Sequence, residues 1–394
     1  MTASRSGYAL FLGVALTFAI NMMGTTLPTP LYPIYQQQLG FSELIITVIF
    51  AAYAVGVIGA LVLFGSWSDQ LGRRPMLLAG LAFSAASALV FMFADNLGLL
   101  LLGRLLSGLS AGIFTGTATV AVVELVPPAW AGAATLVATV ANMGGLGLGP
   151  LFAGVLAQYL PAPLLLCYAL DLGLVLLLAT VVWRAPETAE VPDRARLGLQ
   201  PLSVPPDVRA VFIPAAIAGF AGFAVLGLFT AVAPAVMGKI LGVSNHALTG
   251  FVVFLLFVGS MAGQLGQSRM ADGVRLPVGC VVLIAGVACV GLAIGTASLV
   301  LLVLGAVVAG IGQGVAFRAG LGAITAASPP RRRAEVASTF FVVAYVAISI
   351  PVVGVGLMAD MVGLATAGMV FSGVVALLAA GALISLVALR QRRG

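Results

Sequence analysis

Twelve long runs of apolar residues follow one another along this chain, with almost no charge inside them. The runs occupy residues 8–27, 44–66, 75–94, 97–121, 134–158, 162–183, 210–236, 247–268, 276–296, 298–324, 336–358 and 363–389. Each is near the ~20 residues that a helix needs to cross a bilayer. None shows the period-two alternation of a membrane β-strand. Of the 394 residues, 61% are hydrophobic and 8% charged, against roughly 25% charged in a soluble domain. That excludes a soluble globular enzyme, and it excludes a disordered chain, which is charge-rich and apolar-poor. The expected fold class is therefore an all-α integral membrane protein with twelve transmembrane helices.

Charge placement sets the expected orientation. With the N-terminus in the cytoplasm, Arg5, Arg73, Arg74, Arg184, Arg194, Arg196, Arg209, Arg269, Arg275, Arg331, Arg332, Arg333, Arg390, Arg392 and Arg393 all fall on the cytoplasmic side. Lys239 alone falls outside, and Arg104 and Arg318 lie within spans. Both termini are thus expected in the cytoplasm. The basic residues form short clusters between apolar runs and no stripe, so no nucleic-acid partner is expected. Cys167, Cys280 and Cys289 all sit in apolar runs and imply neither a disulfide framework nor a metal site. His246 has no catalytic company, so no enzyme activity is expected. No cofactor is expected, and the absence of a Gly-x-x-x-x-Gly-Lys-Ser/Thr loop argues against a nucleotide-driven pump.

The chain repeats itself at an offset of about 202 residues: Leu102-Gly103, Gly108 and Gly112 recur as Leu304-Gly305, Gly310 and Gly314, and Pro127-Pro128 recurs as Pro329-Pro330. Six spans later the chain has the same orientation, so the repeats are parallel and related by an axis along the membrane normal. The expected organisation is a six-helix bundle over 1–184, a linker over 185–209 and a second six-helix bundle over 210–394. Two such bundles side by side leave a seam near the midplane that rocking can open to either side.

After the second span the chain reads Gly65-Ser66-Trp67-Ser68-Asp69-Gln70-Leu71-Gly72-Arg73-Arg74-Pro75. This resembles the Gly-x-x-x-Asp-x-x-Gly-Arg-Arg/Lys signature of the major facilitator superfamily at every position. The resemblance implies two pseudo-symmetric bundles, with Gly65, Asp69, Gly72, Arg73 and Arg74 acting as a charged latch on the cytoplasmic face. Arg104, Gly108 and Gly112 look like the family's Arg-x-x-x-Gly signature in span four. A buried arginine costs about 2.5–3.5 kcal/mol on insertion scales, so it should face a watery cavity or the protein interior. In span five, Gly145, Gly149, Pro150 and Gly154 resemble the glycine-proline signature of the antiporter branch, with Ala153 in place of one glycine. Small residues four apart allow close helix approach and the proline makes a kink, which together suit a pivot and a seal between the halves.

By the same resemblance, spans one, four, seven and ten line the cavity. That assigns the cargo site to Asn21, Arg104, Phe114, Phe229, Gln313, Phe317 and Arg318. Two arginines without a buried acid in those spans favour an anionic or zwitterionic cargo. The one deep carboxylate, Asp171 in span six, is expected to point inward and to carry the coupled proton. The resemblance to the drug:proton antiporter branch implies a monomeric carrier in a bacterial inner membrane. It would exchange protons for a small amphipathic or anionic compound. Proton-coupled uptake of a small metabolite by symport is one alternative, and a non-transporting membrane sensor is the other.

Overall fold

A computed structural model describes residues 5–193, 195 and 197–391. Arg194, Arg196, Arg392 and Arg393, placed by sequence on the arginine-rich face, lie outside the described residues. Twelve helical segments are long and apolar enough to cross a membrane: α1 (Gly7–Leu39), α2 (Glu43–Phe64), α3 (Arg73–Met92), α4 (Leu97–Glu124), α5 (Pro128–Tyr159), α6 (Pro163–Arg184), α7 (Pro206–Ala231), α8 (His246–Arg269), α9 (Asp272–Thr296), α10 (Leu299–Ala327), α11 (Pro330–Val362) and α12 (Leu364–Leu389). No strand occurs among the described residues.

Local chemistry sets the helix ends. Ser42, Asn96, Asn245 and Ser298 each accept a backbone N–H of the following first turn, which caps α2, α4, α8 and α10. Gly40, Gly72, Gly242 and Gly363 have positive φ in the tight turns between segments. The proline-rich stretch Leu27–Pro33 interrupts the first helix, and the chain then recovers. The α-helix Arg5–Thr26 breaks, a 3-10 turn follows at Thr29–Leu31, and a new helix runs over Tyr32–Leu39. Pro30 and Pro33 fall in first turns, where the missing N–H costs nothing.

Within each half, backbones approach closely at the repeated glycines. A methyl at Gly112 would lie 2.9 Å from the Val57 carbonyl oxygen, and one at Gly108 would lie 2.9 Å from Gly56 Cα. Gly310 and Gly314 seat α8 against α10 through the Leu256 and Ser260 carbonyls in the same way. The duplicated glycines are thus the packing joints of the two repeats. A linker from Ala185 to Pro205 joins the halves and defines one face of the bundle. That linker face carries the α2–α3 and α10–α11 turns.

Candidate functional site: a central chamber between the halves

On the face away from the linker the halves are sealed. Pro150 in α5 takes Gly250 of α8 against its carbonyl, and Gly154 meets the His246 carbonyl. The backbone N–H of His246 also donates to Gln158 Oε1 at 2.9 Å. On the other flank, a methyl at Gly356 of α11 would come within 2.9 Å of Leu44 Cα in α2. Lys239, after α7, pairs with Glu43 at the start of α2. The span-five glycines divide their work. Gly145 and Gly149 seat α1 within the first half through the Ala19 and Met23 carbonyls, while Pro150 and Gly154 face the second half.

Behind that seal lies a narrow chamber of about 50 Å³. Seven aromatic rings stand in its wall, those of Phe50, Tyr53, Phe223, Phe257, Phe317, Phe341 and Tyr345. The rings form a relay across the seam, with Tyr53 and Tyr345 centroids 6.3 Å apart, Tyr345 and Phe223 6.2 Å, and Phe223 and Phe317 5.2 Å. Arg104 is the chamber's one charged residue among those described. It is 2% exposed. Its guanidinium carbon sits 4.6 Å from the Tyr53 ring centre and 5.4 Å from that of Phe50, a cation–π arrangement that partly replaces lost hydration. Nη1 donates to the Thr25 carbonyl at 2.7 Å, while Nε has no partner. A buried, partly unsatisfied guanidinium with no carboxylate beside it is prepared to receive an anion.

A second space of about 380 Å³ opens toward the linker face between the halves. It is lined by the hydroxyls of Thr115, Thr119, Thr135 and Thr139, the amides of Asn142 and Gln264, and the cation Arg318. Thr115, Asn142, Met143, Phe317 and Phe341 line both spaces. These five side chains form the partition between them. Asn142 and Met143 sit on a π-helical turn, Val140–Gly144, and such turns are frequent at functional sites because the extra residue redirects side chains.

The expected site residues therefore scatter. Arg104 and Phe317 line the chamber, and Arg318 with Phe317 lines the cleft. Asn21 accepts from Ser110 Oγ at 2.9 Å and Gln313 from Ser260 Oγ at 2.5 Å. Both lie fully buried behind the wall, with Nδ2 and Nε2 unpartnered. Phe114 and Phe229 lie outside the chamber, which corrects the expectation. Phe114 packs on Phe18, centroids 6.3 Å apart, and over Gly80. Phe229 faces Val290, Ile294 and Leu302 inside the second half. Helical phase explains Phe114: Arg104 and Thr115 are three turns apart and share a face, and Phe114 is about 100° away. Sequence reasoning missed Phe50, Tyr53, Phe257, Phe341 and Tyr345. They come from α2, α8 and α11, which the resemblance did not place at the cavity.

At the linker face, the Arg73 guanidinium binds Asp69 at 2.6 Å and Glu124 through two bonds of 3.2 and 3.3 Å. Gly65 and Gly72 make room for the linker: a methyl at Gly65 would lie 3.1 Å from Gln200 Cβ, and one at Gly72 would meet Glu187. Glu187 accepts from the backbone N–H groups of Arg73 (2.7 Å), Arg74 (3.1 Å), Thr188 (3.0 Å) and Ala189 (3.0 Å). Partial burial raises its carboxyl, but those donors outweigh it and hold the group below the usual carboxylate range. Arg74 lies over the Trp183 ring at 5.4 Å. All these partners belong to the first half or the linker. The link onward is Ser203, which donates to Glu335 of α11 at 2.7 Å. Asp171, 3% exposed, faces Gly24 of α1, and its Oδ1 has no partner.

Twelve long apolar helices in two like-built halves, with a chamber at their seam, define a polytopic membrane protein. The sequence model described as Major Facilitator Superfamily matches residues 14–352, and the chain belongs to that family. The inner membrane transport protein YajR of Escherichia coli K12 is 31% identical over 100 residues, which is 25% of this chain and 22% of that protein. An MdtD protein of Escherichia coli O1:K1 / APEC, named for multidrug resistance, is 24% identical over 266 residues, covering 65% of this chain and 56% of the relative. The chain thus spans about a fifth to just over half of these relatives' lengths. In fold, it matches a bacterial homologue of the human lysosomal transporter Spinster, solved inward-facing and unoccupied, with a TM-score of 0.76, 15% identity and 98% of both chains covered.

Proposed function

We propose that this transporter exports a small amphipathic organic anion in exchange for protons, by alternating access of the chamber to the two faces. One observation carries the reading: the aromatic chamber holds Arg104 with an unpartnered Nε and no acidic neighbour. Such a wall takes an apolar body and its cation takes one anionic group, whereas a cationic drug would meet an uncompensated positive charge. Arg318 in the cleft draws the same charge in from the linker face, which the arginine distribution marks as cytoplasmic. The likeness to proteins named for multidrug resistance supports efflux. In this arrangement the seal is shut outward and the cleft is open inward. Asp69, Arg73 and Arg74 act as the inner latch, and Pro150 with Gly154 as the outer seal. Asp171 carries the proton.

The test uses proteoliposomes with an imposed pH gradient and three size-matched probes: an aryl carboxylate, its neutral amide and a quaternary aryl amine. Carboxylate flux should follow the gradient, and the amine should not move. Reversing the gradient separates exchange from symport by the direction of flux. Arg318→Gln should lower carboxylate transport about tenfold more than amide transport, in line with a charge-assisted contact of roughly 1.5–3 kcal/mol. Equal losses for both probes would remove the anion reading.

A further inference from the structure

Two buried groups meet consecutive residues of α1. Arg104 of α4 donates to the carbonyl of Thr25. Asp171 of α6 lies against Gly24, so closely that a methyl there would stand 2.8 Å from Oδ2 and 3.0 Å from Oδ1. Any larger residue would push the carboxyl away.

This turn is weak by construction. The α-helix ends at Thr26, and the last four carbonyls of a helix lack partners along their own chain. Pro28 has no N–H to offer the Gly24 carbonyl. The Thr25 hydroxyl turns back on the Met22 carbonyl at 2.7 Å, a local bonding pattern that bends helices, while the Thr26 hydroxyl donates across to the Leu146 carbonyl of α5 at 2.7 Å. The guanidinium of Arg104 therefore caps the break, as a cation at a helix C-terminus does. Asp171 supports the same turn. Its buried Oδ1 has no hydrogen-bond partner, an environment that accepts the neutral acid and penalises the carboxylate.

The other titratable groups around Asp171 can be named. On α6 they are Cys167, Tyr168 and, at its linker end, Arg184. From the helix that follows the α1 break come Tyr32, whose buried hydroxyl has no partner, and Tyr35, whose hydroxyl donates to Tyr168 Oη at 3.4 Å. In α3 and α5, which also pack on α6, Arg73 and Arg74 sit at the linker end and Tyr159 at the far end. No cation among the described residues pairs with Asp171.

We propose that Gly24 and Thr25 are the mechanical link between the proton site and the cargo site. When Asp171 holds a proton, Gly24 docks on it, and the Thr25 carbonyl keeps Arg104. When the proton leaves, the carboxylate draws water, the Gly24 turn lifts, and Arg104 loses its cap partner. Run in reverse, an anion that takes Arg104 from Thr25 loosens the turn and releases the proton from Asp171. By linkage the two effects have equal magnitude. No bond other than O–H changes. This rests on the exchange reading above and supplies its coupling step.

The test contains no cargo, so its failure and that of the anion reading are distinct. Hydrogen exchange by mass spectrometry is followed on the intact protein in nanodiscs, from about pH 5 to about pH 9, corrected for the intrinsic exchange rate. The peptide over residues 18–31 should be protected at low pH and exchange about tenfold faster at high pH, the factor carried by one unit of proton linkage. Asp171→Asn should hold it protected throughout, with no pH response. Gly24→Ala should remove the low-pH protection, because the methyl displaces the carboxyl. A pH response unchanged in Asp171→Asn overturns the proposal. So does a flat wild-type profile, which decides the matter even if the variants fail to fold.

Discussion

Replacing Gly250 by alanine addresses the seal directly. The added methyl would overlap the Pro150 carbonyl oxygen and stand 2.7 Å from its carbon and 3.2 Å from Leu151 Cα. All of these are backbone atoms, so no side-chain rotation relieves them. Ordinary carbon contacts begin at about 3.5 Å, so α5 and α8 must part by roughly 1 Å. Forced overpacking of this kind costs about 1–3 kcal/mol. The cost falls only on the arrangement in which these helices touch at this end, and it is absent when that face opens. The sealed population should therefore fall by about 5–150-fold relative to the opened one. Pulsed electron resonance can read this between spin labels at Gln37 and Ser244, which line opposite sides of the shallow vestibule on that face. The wild type should give one short distance, and Gly250→Ala should add a longer one. An unchanged distance distribution, in a variant that remains folded, would refute the assignment of the seal to backbone contact at Gly250.

The ion pair on the same face should matter far less. Lys239 is 56% exposed, and exposed pairs contribute about 0–1 kcal/mol, so Lys239→Gln should leave the same distance distribution nearly unchanged. Arg73→Ala removes three side-chain partners of one guanidinium; thermal melting in detergent should show a loss of about 2 kcal/mol, more than Asp69→Ala, which removes one. Glu187 binds its four N–H donors as a carboxylate, and its folded pKa is depressed. The clasp is therefore complete above the ordinary carboxylate range and fails as pH falls through the lowered value. Protease cleavage of the linker should rise only in strong acid, while Glu187→Gln should be cleaved readily at neutral pH. Ser260→Ala leaves the Gln313 oxygen buried without its donor, which should cost about 1–3 kcal/mol in stability.

The spans were legible because a bilayer imposes a length and a polarity that no other fold needs, and the glycine repeat exposed the duplication. The latch sequence also marked a real cluster, although its charges close on Glu124 and the linker within the first half. Glu187 gave no sequence signal, since a lone glutamate in a proline-rich stretch reads as solvated loop. The chamber wall was harder. Its aromatic lining comes from α2 and α11 as much as from the four expected helices, and a uniformly apolar span shows no face. Asn142 was invisible for a different reason: one extra residue in a π turn shifts the phase of every side chain beyond it. Gly24 was overlooked because a glycine acquires meaning only from what it lets approach.

The partition between chamber and cleft is one layer of side chains, whereas the opposite wall is backbone against backbone. Side chains turn one at a time, whereas rigid displacement of helices takes microseconds to milliseconds. On the exchange reading proposed above, a solute arriving from the linker side would pass the partition more readily than the far wall. The slow clock of turnover would be wound at the far mouth, by helices separating, and loading would stand near equilibrium throughout.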